Sequence, residues 1–272
     1  MKTIKDIVAQ KSKERITVLT AYDFPIAAFL DEAAIDIILV GDSLANVVLG
    51  LESTTEVGMK EMLHHTRAVV RAVKNALVVG DMPFDSYQLN PRAAVDNAKQ
   101  FIQEGCGAVK VEWFDEAAKT AASIVKAGIP VMGHVGLTPQ TAHKSGGMKV
   151  QGKDAASARA IIEQAEKFEE AGCFSVVLEC IPLELARIIT EKLKVPTIGI
   201  GAGPHCDGQV LVIHDLLGLF SRYQPKFSKK YADLGPQILE AVRQYKKEVL
   251  SGQFPDDAHS FHLPPDEIKK LK

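Results

Sequence analysis

Short apolar runs alternate with longer stretches of helical periodicity along most of this 272-residue chain. Most of the runs are continuous, which is typical of strands buried on both faces of a parallel sheet. Strands are predicted over Ile16 to Ala21, Ile35 to Gly41, Leu77 to Asp81, Ala108 to Glu112, Pro130 to His134, Ser175 to Glu179, Pro196 to Ile200 and Val210 to His214. Helices are predicted over Phe24 to Ala34, Met59 to Asn75, Arg92 to Gly105, Glu116 to Ala127, Ala155 to Ala171 and Leu183 to Leu193.

The spacing of these strands indicates an α/β barrel. Strands follow one another at roughly 30 residues, the size of a βα unit, and eight units make a barrel of about 250 residues. A doubly wound open sheet is the competing arrangement, but no glycine-rich dinucleotide loop follows the first strand. We therefore predict a single (β/α)8 TIM-barrel domain over residues 1–272. A terminal amphipathic helix, Lys229 to Leu250, and a surface tail over residues 251–272 complete it.

The composition of the chain argues against a nucleic-acid-binding, membrane-spanning or secreted protein. A formal net charge of −2 and a pI near 6.5 leave no basic footprint for nucleic acid. No apolar run approaches the roughly 18 residues of a membrane span, and the N-terminus lacks the apolar core of a signal peptide. Cys106, Cys173, Cys180 and Cys206 form no Cys-x-x-Cys pair. We expect a cytoplasmic protein with neither nucleic acid nor membrane as a partner.

Four carboxylates each end an apolar, strand-like run: Asp42, Asp81, Glu112 and Glu179. In a parallel β/α protein the C-terminal ends of the strands converge on one mouth, so these acids could share a site. Side chains two apart on a strand share a face, so Lys110 points the same way as Glu112. The pattern indicates a polar site at the mouth of the barrel.

The charge at such a site favours a divalent cation. Four carboxylates and the Lys110 ammonium carry −3, and each buried unpaired charge costs several kcal/mol. One divalent cation reduces the total to −1. Ligation by carboxylate oxygens with retained waters suits Mg²⁺ better than zinc or copper. Acids at such turns also cap helices, but four acids with a lysine beside them favour the metal site.

Other polar features are less specific. His134 ends a predicted strand, where a histidine is a structural residue or a catalyst. His64 and His65 are adjacent on a helix and therefore face differently, which argues against a shared metal. The segment Gly199 to Gly203 lacks the full dinucleotide spacing, so it fits a close backbone approach to a small ligand or a tight turn. The Gly- and Lys-rich stretch between Ala142 and Lys153 fits a lid over the mouth as well as an exposed loop.

Several segments together resemble one family, ketopantoate hydroxymethyltransferase, also called 3-methyl-2-oxobutanoate hydroxymethyltransferase. The resemblance follows the order of the chain and continues into its tail, at Phe254-Pro-Asp-Asp257 and His259-Ser-Phe261. The matching segments are Leu19-Thr-Ala-Tyr-Asp23, Val40-Gly-Asp-Ser43, Gly80-Asp-Met-Pro-Phe84, Val109-Lys-Val-Glu112, Gly133-His-Val-Gly-Leu-Thr-Pro-Gln140, Leu178-Glu179, Gly199-Ile-Gly-Ala-Gly203 and Asp207-Gly-Gln209. One stretch, Gly50 to Gly58, departs from the family's usual Leu-Pro-Val type of step.

The resemblance implies a barrel of the phosphoenolpyruvate mutase/isocitrate lyase group. It also implies Mg²⁺, 3-methyl-2-oxobutanoate and 5,10-methylenetetrahydrofolate as substrates, a place in pantothenate and coenzyme A synthesis, and homo-oligomers of ten subunits.

The family pattern also implies roles for individual residues. Asp42 and Asp81 would hold the metal, and Glu112 would be a direct or water-mediated ligand. Ser43 and Lys110 would contact the keto acid, with Asp42, Asp81 and His134 also at the substrate. Glu179 would be the proton acceptor. The residues themselves leave two other functions open: a Mg²⁺-dependent keto-acid aldolase or lyase on the same barrel, and a non-catalytic barrel that binds a metabolite.

Overall fold

The computed structural model describes residues 1–140, 149–219 and 225–271, so residues 142–148 of the glycine-rich stretch lie outside the described residues. Within these ranges, parallel strands pair in sequence order and the last closes on the first. The strands are β1 (Ile16–Thr20), β2 (Ile37–Val40), β3 (Leu77–Asp81), β4 (Ala108–Glu112), β5 (Val131–Gly136), β6 (Ser175–Glu179), β7 (Thr197–Ile200) and β8 (Gly208–Leu211). The closed eight-stranded α/β barrel confirms the predicted fold class.

Helices follow most of the strands and cover the outside of the barrel. The covering helices are α2 (Phe24–Glu32), α4 (Met59–Ala72), α5 (Pro91–Gln103), α6 (Ala117–Lys126), α7 (Ala155–Glu170) and α8 (Leu183–Lys192), all within three residues of their predicted bounds. The remaining helices are α1 (Ile4–Ala9), α3 (Leu44–Val47), α9 (Ile213–Leu217), α10 (Leu234–Ser251) and α11 (Pro265–Lys270). In the described part of the chain, no helix combines the length and apolar character needed to cross a bilayer.

The inside of the barrel is filled by apolar side chains from the strands. Helix α1 closes the N-terminal end of this core with Ile7, which is fully buried, and with Ile4. Its start is set by a capping box between Thr3 and Asp6. Helix α1 is not among the elements predicted from hydrophobic periodicity, although its Thr-x-x-Asp capping signal is present in the sequence. Helix α1, with Ile4 and Ile7, forms an apolar plug at the N-terminal end. The polar end of the barrel is the C-terminal mouth.

Two glycines let helices pack tightly behind the mouth. A Cβ on Gly80 would lie 2.3 Å from the Phe101 ring, and one on Gly133 would lie 2.6 Å from the Phe168 ring. Helices α5 and α7 therefore press aromatic rings directly onto the backbone of β3 and β5. Each glycine immediately precedes a candidate site residue, so this packing fixes where those side chains start.

The eighth strand corrects one prediction. The strand predicted over Val210 to His214 runs instead over Gly208–Leu211, and α9 begins at Ile213. Gly208 allows early pairing with β1, because a Cβ there would lie 2.5 Å from the Ile16 carbonyl oxygen. The strand ends early because the Ile213 N–H donates a hydrogen bond to Thr20 Oγ1 at 3.0 Å instead of to a sheet partner.

The outer face of β1 and β8 is less covered than the rest of the barrel. Residues 201–207, between β7 and β8, contain no helix. Thr17 and Gln209 are exposed, Leu19 and Leu211 are partly exposed, and a cavity of about 700 Å³ lies along this face. Helix α10 has no buried residue, and the tail beyond it, predicted without regular structure, contains α11 because Pro265 and two acids start a turn of helix.

Asp207 ties the N-terminal plug to the closing strand. Its carboxylate accepts hydrogen bonds from Lys11 Nζ at 2.8 Å, from the Thr197 N–H at 2.9 Å and from the Ser12 N–H at 3.1 Å. Burial raises the pKa of Asp207, but these hydrogen bonds outweigh burial and hold the pKa below its usual range. The ionised form therefore stabilises the fold.

We expect Asp207→Asn to lower the thermal midpoint at pH 7 by about 3–10 °C, because charge-assisted hydrogen bonds are lost. A lowered folded-state pKa contributes stability above the unfolded pKa of about 4, and this contribution is lost as pH falls through the folded pKa. The difference between wild type and variant should therefore shrink below about pH 4, as measured by calorimetry across pH. Asp96→Asn, which removes only an exposed pair with Lys99, should change the midpoint by about 1 °C or less. Equal effects of the two variants would contradict this role.

Candidate active site

One cavity at the C-terminal mouth brings the predicted site residues together. Its volume is about 490 Å³. The residues that line it include all seven candidates: Asp42, Ser43, Asp81, Lys110, Glu112, His134 and Glu179. They come from the ends of five successive strands, β2 to β6. The convergence expected from parallel strands is thus present in the structure.

Strand register explains how these groups meet. Asp81 on β3 pairs with Lys110 on β4, and Glu112 pairs with His134 on β5. Lys110 and Glu112 are two residues apart and both line the cavity, as the period of a strand requires. Neighbouring strands therefore supply alternating acidic and basic groups at one level of the barrel.

Ion pairs link these groups across the floor of the cavity. Lys110 Nζ lies 2.7 Å from both Asp81 carboxylate oxygens and 3.9 Å from Glu112 Oε1. His134 Nδ1 lies 3.4 Å from Glu112 Oε1, and His134 Nε2 lies 3.1 Å from Glu179 Oε2. The imidazole of His134 therefore bridges two carboxylates, and only Glu179 keeps appreciable exposure, at 14% of its side chain.

The pKa directions follow from burial and crowding. Burial, and then the neighbouring Glu112, raises the pKa of Asp42 to about 6. Burial also raises the pKa of Asp81 to about 6, against the opposing effect of Lys110. Burial and Lys110 lower the pKa of His134, but its two carboxylate partners overcome them and raise it to about 9. The site holds more acid than its own cations neutralise.

The β2 end of the site is positioned by one backbone and one side-chain hydrogen bond. The Asp42 N–H donates to Asp81 Oδ2 at 3.3 Å, which joins the two aspartates. Ser43 begins the short helix α3, and its hydroxyl lies 2.8 Å from the Tyr22 hydroxyl. Both residues are thereby held at the cavity wall before any ligand binds.

Two residues that the sequence analysis assigned no role complete this network. Gln140, fully buried, donates from Nε2 to Asp42 Oδ2 at 2.9 Å and from its N–H to Glu112 Oε2 at 3.1 Å. Its Oε1 accepts from the Tyr87 hydroxyl at 2.8 Å, and that hydroxyl accepts from the Glu112 N–H at 3.1 Å. Gln140 ended a segment of the family resemblance, whereas Tyr87 had no signal in the sequence. Together they orient two predicted metal ligands.

The donor chemistry at this floor fits a hard divalent cation. Within the described ranges, no three His, Cys, Asp or Glu side chains are already gathered as a metal-binding cluster. The floor nevertheless offers buried carboxylate oxygens, and Glu112 Oε1 accepts no hydrogen bond. An acceptor left without a donor, among acids whose pKa values are raised, suits a cation with oxygen ligands. Asp42, Asp81 and Glu112 could hold it.

The other sequence candidates lie apart from this floor. His64 and His65 are on α4, with ring centroids 5.4 Å apart at nearly right angles, and His65 Nδ1 lies 2.7 Å from the Tyr22 carbonyl oxygen. The segment Gly199 to Gly203 continues from β7 into a tight turn, with φ of +63° at Gly201 and +76° at Gly203.

Several solved structures superpose on this chain over its whole length. Phosphonopyruvate hydrolase superposes with a TM-score of 0.63 and 15% identity, covering 100% of this chain and 95% of that one. 2,3-Dimethylmalate lyase, a PEP mutase/isocitrate lyase superfamily member, gives 0.60 and 14%, with coverage of 100% and 95%. These likenesses confirm the predicted barrel fold.

Sequence relatives are much closer. The 3-methyl-2-oxobutanoate hydroxymethyltransferase of Syntrophomonas wolfei subsp. wolfei is 55% identical over 263 residues, which cover 96% of this chain and 95% of that protein. The protein of the same name from Clostridium botulinum (strain Langeland) is 53% identical over 271 residues, with coverage of 99% and 98%. The family model for ketopantoate hydroxymethyltransferase matches residues 1–257. This chain belongs to the ketopantoate hydroxymethyltransferase family.

Proposed function

We propose that this protein transfers a hydroxymethyl group from 5,10-methylenetetrahydrofolate to 3-methyl-2-oxobutanoate. Water is the third reactant, and the products are 2-dehydropantoate and tetrahydrofolate, in the pathway to pantothenate and coenzyme A. One observation carries the proposal: Glu179, paired with His134, lies in the same cavity as the Lys110–Asp81 pair. A base and a positive charge in one cavity suit proton abstraction beside a carbonyl group.

Glu179 is the base in this proposal. The keto acid must lose its Cβ proton to become a nucleophile, and Glu179 is the least buried acid of the cluster. His134, 3.1 Å away, holds the orientation of the carboxylate. A positioned general base typically contributes about 10²–10⁴-fold to rate.

Positive charge at the ketone and carboxylate oxygens of the keto acid stabilises the enolate that forms when the proton is lost. Asp42 and Asp81 would hold Mg²⁺, with Glu112 as a direct or water-mediated ligand, and bound Mg²⁺ supplies Lewis-acid charge at the ketone and carboxylate oxygens. Lys110 adds a fixed ammonium at the same floor, and Ser43 contributes a hydroxyl at its edge. The apolar wall of Leu39, Val177 and Val210 offers surface for the branched tail of the keto acid.

The rival functions predict different behaviour. A keto-acid aldolase or lyase of the same barrel group would work without folate. A Schiff-base mechanism at Lys110 is disfavoured by the pKa of this residue. Burial lowers the pKa of Lys110, but the surrounding carboxylates outweigh burial and raise it overall. An ammonium held between both oxygens of Asp81 is the wrong form for a nucleophilic amine.

We expect Glu179→Gln to reduce turnover with 3-methyl-2-oxobutanoate and methylenetetrahydrofolate by about 10²–10⁴-fold, because the proton acceptor is lost. Deuterium exchange at the substrate Cβ, followed by NMR without folate, should fall in parallel. Glu184→Gln, at an exposed position in the first turn of α8, is the matched control and should retain both activities. Near-normal exchange in Glu179→Gln would contradict the assignment. Keto-acid binding by wild type without any exchange would favour the non-catalytic barrel, and turnover without folate would favour the aldolase or lyase.

We expect Asp42→Asn and Asp81→Asn to abolish measurable binding of Mn²⁺, used as the probe cation in calorimetry without substrate. Gln140→Leu should weaken this binding by about 10–100-fold, because it no longer orients Asp42 and Glu112. The control is Gln88→Leu, since Gln88 touches the network through two long hydrogen bonds of 3.4 Å, one donated to Gln140 Oε1 and one accepted from the Tyr87 N–H. Wild-type affinity in Asp42→Asn would rule out the metal assignment, and wild-type affinity in Gln140→Leu would rule out the orienting role.

We further propose a homo-oligomer, for which the family resemblance implies ten subunits. Two features support association between copies. Helix α10 exposes a face of apolar side chains that includes Ile238, Val242 and Tyr245, each more than half exposed. The outer face of β1 and β8 leaves a cavity where a barrel normally carries a helix. A second copy of the chain could cover these surfaces.

We expect Val242→Glu to dissociate the assembly into smaller species, because it places a charge in the centre of the apolar face of α10. Light scattering after size-exclusion chromatography measures the mass directly. Gln244→Glu adds the same charge on the other side of the helix and should leave the mass unchanged. A monomeric wild type, or an unchanged mass in Val242→Glu, would contradict the proposal.

A further inference from the structure

Part of the cavity wall has no role in the chemistry at the floor. Asp215, on α9, lines the cavity, and only 8% of the residue is exposed. Phe227, which follows α9 in the chain, lines the same cavity with 37% of its surface exposed. Neither residue belongs to the acidic cluster, although both face the same space.

Among the described residues, Asp215 is a carboxylate without a hydrogen-bond donor. Its backbone N–H pairs with the Val212 carbonyl, but no side chain or N–H of the described residues donates to its carboxylate oxygens. Burial raises its pKa. Its carboxylate oxygens are accessible from the cavity. They are therefore free to accept hydrogen bonds from a ligand that brings its own donors.

Phe227, which lines the same cavity as Asp215, packs against a glycine. A Cβ on Gly201 would lie 2.7 Å from Phe227 Cδ1, so only glycine lets the ring approach this backbone. Gly201 also has a φ of +63°, which disfavours any residue with a side chain. The glycine-rich segment after β7 thus supports an aromatic wall and not a phosphate loop. An exposed ring in a cavity is a stacking surface for another planar ring.

The keto acid does not match this end of the cavity. It is an anion without N–H donors, so Asp215 would repel it, and it fills only part of a space of about 490 Å³. The complementary ligand is a planar heterocycle that presents two adjacent N–H donors on one edge. The pterin of a folate has this edge, because its N3–H and 2-amino group point the same way and match the two oxygens of a carboxylate.

We propose that Asp215 and Phe227 bind the pterin of the one-carbon donor. Asp215 accepts hydrogen bonds from N3–H and the 2-amino group, and Phe227 stacks on the ring. This inference rests on the proposed function, since that function makes a folate the second substrate. It locates the folate at the β8 side of the cavity, beside the keto acid at the floor.

The test measures tetrahydrofolate binding by calorimetry under reducing conditions. Asp215→Asn should weaken the affinity by about 10–100-fold, because the amide loses the charge and one acceptor. Phe227→Leu should weaken it by about 5–10-fold through lost stacking. The matched control is Glu52→Gln, an exposed carboxylate at the same cavity, which should change the affinity less than twofold. An equal loss in Glu52→Gln would overturn the specific role of Asp215.

A ligand variant checks the contact itself. Tetrahydrofolate without its 2-amino group should bind wild type about 10-fold more weakly but should bind Asp215→Asn with little further loss. The thermal midpoint of Asp215→Asn should not fall, because no residue in the described part of the chain donates a hydrogen bond to this side chain; a large fall would indicate a structural role and contradict the inference. If wild type uses methylenetetrahydrofolate while Asp215→Asn binds tetrahydrofolate normally, the inference is wrong and the proposed function stands. If wild type neither binds tetrahydrofolate nor needs a folate for turnover, the proposed function itself is wrong.

Discussion

The excess of buried acid at the barrel mouth is the constraint on which the rest of the site depends. Asp42, Asp81 and Glu112 are each at most 5% exposed, and such groups persist only where cations and donors offset their desolvation. Lys110 provides one positive charge, and His134 lies between Glu112 and Glu179. The remaining stabilisation of the buried carboxylates must come from the amide of Gln140 and from whatever binds in the cavity.

Because the buried carboxylates need partners at fixed positions, rigid elements surround the site. The two aspartates meet through a backbone N–H, and the aromatic rings pressed on Gly80 and Gly133 fix the strands that carry Asp81 and His134. A carboxylate displaced by an ångström would lose the partner that makes its burial tolerable. The tight packing outside the barrel and the charge inside it are therefore parts of one arrangement.

The sequence was sufficient for features with a local signal. Continuous apolar runs located seven strands within two residues at each end, and the acids that end them lie together as parallel strands require. The family resemblance added an expected substrate and the roles proposed for Ser43 and Glu179. The eighth strand was misplaced because its end depends on Thr20, which is far away in sequence. Tyr87 and Asp215 were missed for a similar reason, since only the closed barrel shows what surrounds them.

The plug formed by α1 has a consequence for the order of events in the cavity. Because Ile7 and the apolar core above it fill the N-terminal end, molecules can enter and leave the barrel only at the C-terminal mouth. Under the proposed function, the keto acid and the folate would therefore share this one entrance. If the folate covered the opening once bound, the keto acid would have to arrive first and its product would have to leave last, which is a compulsory-order kinetic scheme without any conformational switch.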